Sequence, residues 1–338
     1  MISDMQKAKE MDADIVKAPR AAVSLKQRIG SLSGEMTIFL VFVLIVLLLS
    51  VTTPHFLTTQ NILAILVATS LIAVVACGQT FVIITGGIDL SCGSVVALSG
   101  VAAGLAMQAG APTLVGILIG ILTGLACGAF NGVAVTMLNM NPFIVTLSVL
   151  AMARGLAFII TGGNTIFGFP DAFDRLGGGL IAHLPIAGII SLAAFFLCFL
   201  VLSKTVLGSE IYAVGGNREA ARLAGIPVSR TLMIVYLVSG AFAGLGGVIL
   251  TGRLDSAQPI AATGLELNAI AGVVIGGASL FGGRGSMLGT MMGVLLIGVI
   301  NNGLTLNNVQ PFWVQFIQGA VIFAAVLFDS INQKRRAG

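Results

Sequence analysis

The chain alternates between long runs in which almost every position is apolar and short polar interruptions rich in glycine, proline and charge. Read in order, the runs predict transmembrane helices over Met36–Val51, Asn61–Thr85, a third span ending at Met107, Leu114–Leu138, Phe143–Ile160, Leu184–Leu202, Leu232–Leu250, Leu267–Leu280, Met287–Leu306 and Phe312–Phe328. Runs of about 20 residues with so little charge are long enough to cross a bilayer as helices. A transmembrane β-barrel would show segments of about 10 residues with alternating polarity, and these runs are apolar on every face. The pattern therefore predicts an all-α polytopic membrane protein of ten spans, with both termini on one side.

The interruptions carry the punctuation. Thr52-Thr53-Pro54-His55 ends the first span, Gly86-Gly87-Ile88-Asp89-Leu90-Ser91-Cys92-Gly93-Ser94 breaks the second from the third, and Asn139-Met140-Asn141-Pro142 makes a tight turn. A longer polar stretch, Thr161 to His183, separates two halves. The longest interruption after the N-terminal tail runs from 204 to 230. Within it Asn217 is a good N-cap, Glu219-Ala220-Ala221 form helix readily, and Gly225 followed by Pro227 is a stop signal. This predicts a short surface helix from Asn217 to Gly225, which on its own is marginal and requires a surface to hold it.

Charge sets the orientation. Only 9% of residues are charged against 57% hydrophobic. With the N-terminus inside, the inner segments hold Lys7, Lys9, Lys17, Arg20, Lys26, Arg28, Lys204, Arg218, Arg222, Arg230, Arg284, Lys334, Arg335 and Arg336, and the outer ones Arg175 and Arg253. That asymmetry satisfies the positive-inside rule and places the 204–230 loop in the cytoplasm. The predicted organisation is a cytoplasmic tail over 1–35, a transmembrane domain over 36–330 and a basic cytoplasmic tail over 331–338. The net charge of +4 thus reports topology and not nucleic-acid binding.

Candidate chemistry is sparse. Gly-Lys never occurs, so the chain has no phosphate-cradling loop and no ATPase motif of its own. No Ser/His/Asp or paired-carboxylate arrangement suggests an enzyme, and Cys77, Cys92, Cys127 and Cys198 lie in apolar runs without metal-ligand spacing. Catalytic, metal and cofactor residues are accordingly expected to be absent from this chain. Asp89 is a carboxylate at or near bilayer depth beside Gly86 and Gly87, which makes it a pathway or gate candidate together with Ser91; it can equally cap the following helix by accepting from backbone N–H groups near Ser91 and Cys92. Asn131, Asn139, Asn141, Asn268, Asn301 and Asn302 can bond a polar solute on a pathway or bond helix to helix. The spacing Gly116-x3-Gly120-x3-Gly124-x3-Gly128 and Gly240-x3-Gly244 predicts close helix packing.

Glu219-Ala220-Ala221 followed by Gly225-Ile226 resembles the EAA signature of permease subunits of ABC importers. The stretch Thr85-Gly86-Gly87-Ile88-Asp89-Leu90-Ser91-Cys92-Gly93-Ser94 resembles the hallmark of their ribose/xylose/galactose branch, with Cys92 where that branch usually has Val. Tyr212 to Arg222 and Gly276 to Ser286 read like that branch too, and the resemblance covers roughly Asn61 to the C-terminus. It implies a monosaccharide permease of the inner membrane that dimerises, docks on a cytoplasmic ATP-binding subunit holding ATP-Mg, and receives sugar from a periplasmic binding protein. Asn217, Arg218, Glu219, Ala220, Ala221, Arg222 and Gly225 would then couple to the ATPase, and Gly86, Gly87, Asp89, Ser91, Asn131 and Asn141 would be pathway candidates. The alternatives are a self-sufficient secondary transporter, for which Asp89 and Glu266 are the ion-coupling candidates, and a membrane scaffold.

Overall fold

The structure is a computed structural model that describes residues 34–310, 312–320, 323–324 and 326–327. Residues 1–33 of the expected 1–35 tail, the expected tail over 331–338 and part of the last expected span lie outside the described residues.

The apolar runs form helices α1 (Gly34–Thr52), α2 (Thr59–Ile84), α3 (Cys92–Gln108), α4 (Thr113–Thr136) and α5 (Pro142–Thr161). A short helix α6 (Asp171–Gly178) and a small antiparallel pair, β1 (Leu180–Ile181) with β2 (Leu184–Pro185), follow. Then come α7 (Ile186–Lys204), α8 (Val206–Gly216), α9 (Arg218–Leu223), α10 (Val228–Leu254), α11 (Leu265–Ile275) and α12 (Met287–Leu306), after which residues 312–320 are helical. Six of these helices, α2, α4, α5, α7, α10 and α12, are long and apolar enough to cross a membrane, and α1, α3 and α11 are shorter apolar helices. The chain is a polytopic helical membrane protein.

Two sequence expectations change. The 204–230 interruption is mostly helix: α8 occupies its first half, capped by the Thr205 hydroxyl accepting from Gly208 N, and α9 ends at Leu223, two residues before Gly225. Tertiary packing of Ile211 and Val214, both buried, makes a helix out of a segment whose glycines and charges read as loop. The run Leu267–Leu280 is helical only to Ile275, because Gly276-Gly277 turns the chain, Gly277 at φ +92°.

The helices sort into layers. The apolar stretches of α2 and α10 are 61% buried within the chain, against 22% for α4. α3, packed against α4, α5 and α10, is buried along its first ten residues. The expected glycine stripes meet each other: a Cβ on Gly124 would strike Gly240 O and lie 2.7 Å from Gly244 Cα, and one on Gly128 would lie 3.1 Å from Gly240 Cα. With lipid as apolar as a leucine side chain, this backbone-to-backbone approach supplies the contact between α4 and α10. α2 and α12 are joined by polar pairs: Asn61 Nδ2 donates to Asn302 Oδ1 at 3.0 Å, Asn302 Nδ2 returns to Asn61 Oδ1 at 2.7 Å, and the Thr80 and Thr290 hydroxyls lie 2.9 Å apart.

Candidate functional site

The break between α2 and α3 is the centre of the site, and two clusters meet on it. α2 ends because Gly86 adopts φ +74°, a conformation that L side chains rarely take. The chain then runs without regular structure to Ser91, crossing the packed interior.

The first cluster surrounds Asp89, which is 2% exposed. Asp89 Oδ1 accepts from Ser91 N at 2.9 Å and from Ser91 Oγ at 2.6 Å, and Oδ2 accepts from Ser239 Oγ of α10 at 2.7 Å. Asn131 Nδ2 of α4 donates to Ser91 Oγ at 3.0 Å, Gln79 Nε2 of α2 donates to the Asp89 carbonyl, and Thr146 Oγ1 of α5 donates to Ile88 O at 3.1 Å. One carboxylate thus ties the start of α3 to α10, while its neighbours reach α2, α4 and α5. Asp89 thus accepts from the N–H of Ser91, but Ser91 is itself the cap position of α3 and makes no side-chain cap bond, and Cys92 N does not take part. Burying a carboxylate is costly unless it is hydrogen-bonded, and three donors meet that cost here. Around it, Gln79 Oε1, Asn131 Oδ1 and Tyr236 Oη are buried without a partner among the described residues.

The second cluster joins the same break to α8 and α9. Gly283 N donates to Ile84 O at 2.8 Å. A Cβ on Gly215 would strike that same Ile84 oxygen and lie 2.6 Å from Gly283 N; one on Gly282 would lie 2.6 Å from Gly215 O and 2.9 Å from Gly86 N. Tyr212 Oη donates to Gly285 O at 2.8 Å, and Arg218 Nη2 donates to Thr85 O at 3.4 Å. Three segments therefore touch backbone to backbone, at glycines that leave no room for a side chain. Beside this junction an open cleft of about 510 Å³ is lined by Thr85, Gly86, Ile88, Asn141 and Arg218, among others.

α9 stands on the junction. Asn217 Oδ1 accepts from Ala220 N at 3.0 Å, as its N-cap position predicts. Ala221, 4% exposed, packs with Val214 and Leu232, so this alanine anchors the helix to the protein itself. Glu219, Ala220, Arg222 and Leu223 face outward. Glu219 pairs with Arg222 at 3.0 Å, but both side chains are more than 70% exposed and the pair contributes little stability. Leu223 is 84% exposed. Gly225 adopts φ +81° with open space where a Cβ would be, so its constraint is backbone conformation and not room.

Of the sequence candidates, Gly86, Gly87, Asp89, Ser91 and Asn131 come together in or beside the break. Asn141 does not join Asp89: it is exposed, caps α5 through Phe143 N at 2.9 Å, and shares the open cleft with Gly86 and Arg218. Ser239, Gln79 and Tyr236 are members of the site that sequence reasoning misses. A glutamine inside an apolar span is the available signal for Gln79. Among the described residues no group of three or more His, Cys, Asp or Glu could hold a metal ion.

Comparison with known proteins then decides the family. Residues 61–326 match the family described as "Branched-chain amino acid transport system / permease component". The chain belongs to that permease family. Among its relatives, the ribose import permease of Bacillus subtilis is 42% identical over 293 residues, covering 86% of this chain and 91% of the relative. The D-allose transport system permease of Escherichia coli K12 is 38% identical, covering 88% and 92%. The L-arabinose ABC transporter permease of Azospirillum brasilense is 37% identical, covering 94% and 95%. No solved structure matches. The permease is a transport subunit and not an enzyme, and as one component of a transport system it leaves the self-sufficient secondary transporter and the scaffold without support.

Proposed function

We propose that this permease carries a monosaccharide, a ribose-like pentose or a hexose, across the bacterial inner membrane as the membrane subunit of an ATP-driven importer. Two permease copies sit over a cytoplasmic ATP-binding subunit that holds ATP-Mg, and a periplasmic sugar-binding protein delivers the substrate. Support for the sugar comes from relatives whose names specify ribose, allose and arabinose along nearly their whole length. In this reading the chain has ten spans with both termini cytoplasmic, a permease domain over 36–330, and tails over 1–35 and 331–338.

The observation that carries the coupling role is α9. Its inner face is fixed by Ala221 while Glu219, Arg222 and a solvent-exposed Leu223 project outward, and its N-terminal junction touches the α2–α3 break directly. A short helix held at its base with an apolar residue outward is suited to a groove on a partner. A partner whose affinity for that helix differs between nucleotide states would bias the position of the break, and with it the Asp89 cluster that bridges the surrounding helices.

The test is reconstitution with the ATP-binding subunit and the binding protein in proteoliposomes, with ribose, arabinose and allose offered in turn. The reading expects ATP-dependent uptake of at least one of them and loss of uptake with Leu223→Asp. Uptake without ATP, or none of any monosaccharide, would overturn it.

A further inference from the structure

α11, α12 and the helical residues 312–320 leave a cleft between them at the end of α12 remote from the glycine junction. Six carboxamides line it: Asn268 from α11, Asn301 from α12, Asn308 and Gln310 from the connection, and Gln315 and Gln318 from the helix that follows. Thr263 and Thr305 add hydroxyls, and no residue of the lining is charged. The outer part encloses about 790 Å³, within the roughly 300–1,000 Å³ of small-molecule sites. Inward it narrows to a neck of about 20 Å³ bounded by Ala271, Ile297, Ile300 and Ile317. That is room for about one water molecule, so the neck is closed to a sugar.

Helix-to-helix bonding uses few of these amides. Gln318 Nε2 donates to Asn301 Oδ1 at 2.9 Å, and Asn268 Nδ2 donates to Gly264 O at 3.2 Å. Among the described residues the side chains of Asn308, Gln310 and Gln315 make no hydrogen bond. A carboxamide offers two donors and an acceptor without charge, which matches a hydroxyl that both donates and accepts. An amino acid, with its ammonium and carboxylate, would find no opposite charge in this lining, and burying it there would be costly.

We infer that this vestibule is the site where a neutral polyol is held before translocation, and that Ile297, Ile300 and Ile317 form the closed gate beneath it. The inference rests on the sugar-import reading and narrows it: the lining selects uncharged, hydroxyl-rich substrates over the amino acids in the family's description. The loading site and α9 then lie at opposite ends of α12, about 30 Å apart at 1.5 Å per residue.

The test uses the reconstituted transporter with its ATP-binding subunit and binding protein, and radiolabelled ribose, arabinose and allose as probes. Asn301→Leu and Gln318→Leu are expected to lower uptake by about tenfold or more while the ATP-binding subunit still co-purifies, and Asn301→Gln is expected to keep most of it. Because a leucine variant could misfold, the second arm introduces Gln315→Cys at an exposed position. A bulky impermeant maleimide added after assembly should block uptake there, and should not do so at Ala172→Cys. Normal uptake by both leucine variants, or by the modified Gln315→Cys protein, overturns the vestibule and leaves sugar import standing. If the unsubstituted assembly takes up none of the three sugars, the import reading fails and the vestibule's role falls with it.

Discussion

The amide of Gly283 donates to the carbonyl oxygen of Ile84 at 2.8 Å, and a Cβ on Gly215 would land on that same oxygen. The last turn of α2, the turn before α12 and the end of α8 are thereby in direct main-chain contact. Such a contact transmits displacement without the slack of a rotatable side chain.

Substituting Gly215 separates transmission from docking. Gly215→Val must push apart Ile84 and Gly283, whereas at Gly216 a methyl group would meet nothing within 4 Å. We expect Gly215→Val to abolish ATP-dependent uptake while the outward residues of α9 still hold the ATP-binding subunit, and Gly216→Ala to transport normally. Equal behaviour of the two variants would remove the junction from the transmission path.

At Gly225 the prediction turns on φ +81°. A left-handed residue other than glycine costs about 1–2 kcal/mol, more for a β-branched side chain and less for asparagine. Gly225→Val should insert normally but lose co-purification of the ATP-binding subunit or stimulation of its ATP hydrolysis, with Gly225→Asn restoring most of it. Unchanged uptake by Gly225→Val would show that the exit from α9 is not needed for coupling.

Asp89→Asn retains an acceptor for Ser91, and Ser239 can reverse its hydroxyl to accept from the new amide, so the variant should fold. Asp89→Ala leaves Ser91 and Ser239 buried without their acceptor, at about 1–3 kcal/mol for each group. Thermal unfolding in detergent should therefore fall in the order wild type, Asn, Ala, and Asp89→Ala combined with Ser239→Ala should cost less than the sum of the two singles. If Asp89 also acts in gating, Asp89→Asn loses uptake beyond its loss of stability. Normal uptake with lowered thermal stability would confine Asp89 to joining α3 to α10.

The ten-span frame is tested with single cysteines at Ala172 and Ser209, both exposed. An impermeant thiol reagent should label Ala172→Cys from outside intact spheroplasts and Ser209→Cys only after the membrane is opened. Labelling of both from outside would overturn the frame.

How much of this was legible in the sequence follows from what is local. The span Met287–Leu306 matches α12 at both ends, since a Ser286 cap fixes one end and the Asn307-Asn308 turn the other. The Asn217 cap, the stop at Gly225 and the close packing of the two glycine stripes were equally visible, because each is set by residue type and short spacing; that the stripes meet each other was not. Where the sequence misled, tertiary packing decided: α8 forms because Ile211 and Val214 are buried in clusters with other helices, and Ala221, expected among the residues that couple to the ATPase, turns inward onto Val214 and Leu232. Ser239 lies 150 positions from Asp89, and no pattern along the chain links them.

The reciprocal amide pair of Asn61 and Asn302 also limits how the molecule can move. At one end α2 is locked to α12 by two opposed carboxamide bonds; near the other end it is held by the hydroxyls of Thr80 and Thr290 and, one turn further along α2, by Ile84 against Gly283, a few residues before α12 begins. Sliding one helix along the other by a single turn would break all of these at once. α2 and α12 therefore behave as one strut, and a transport cycle has to pivot the remaining helices about it, with the irregular residues between Gly86 and Ser91 as the joint.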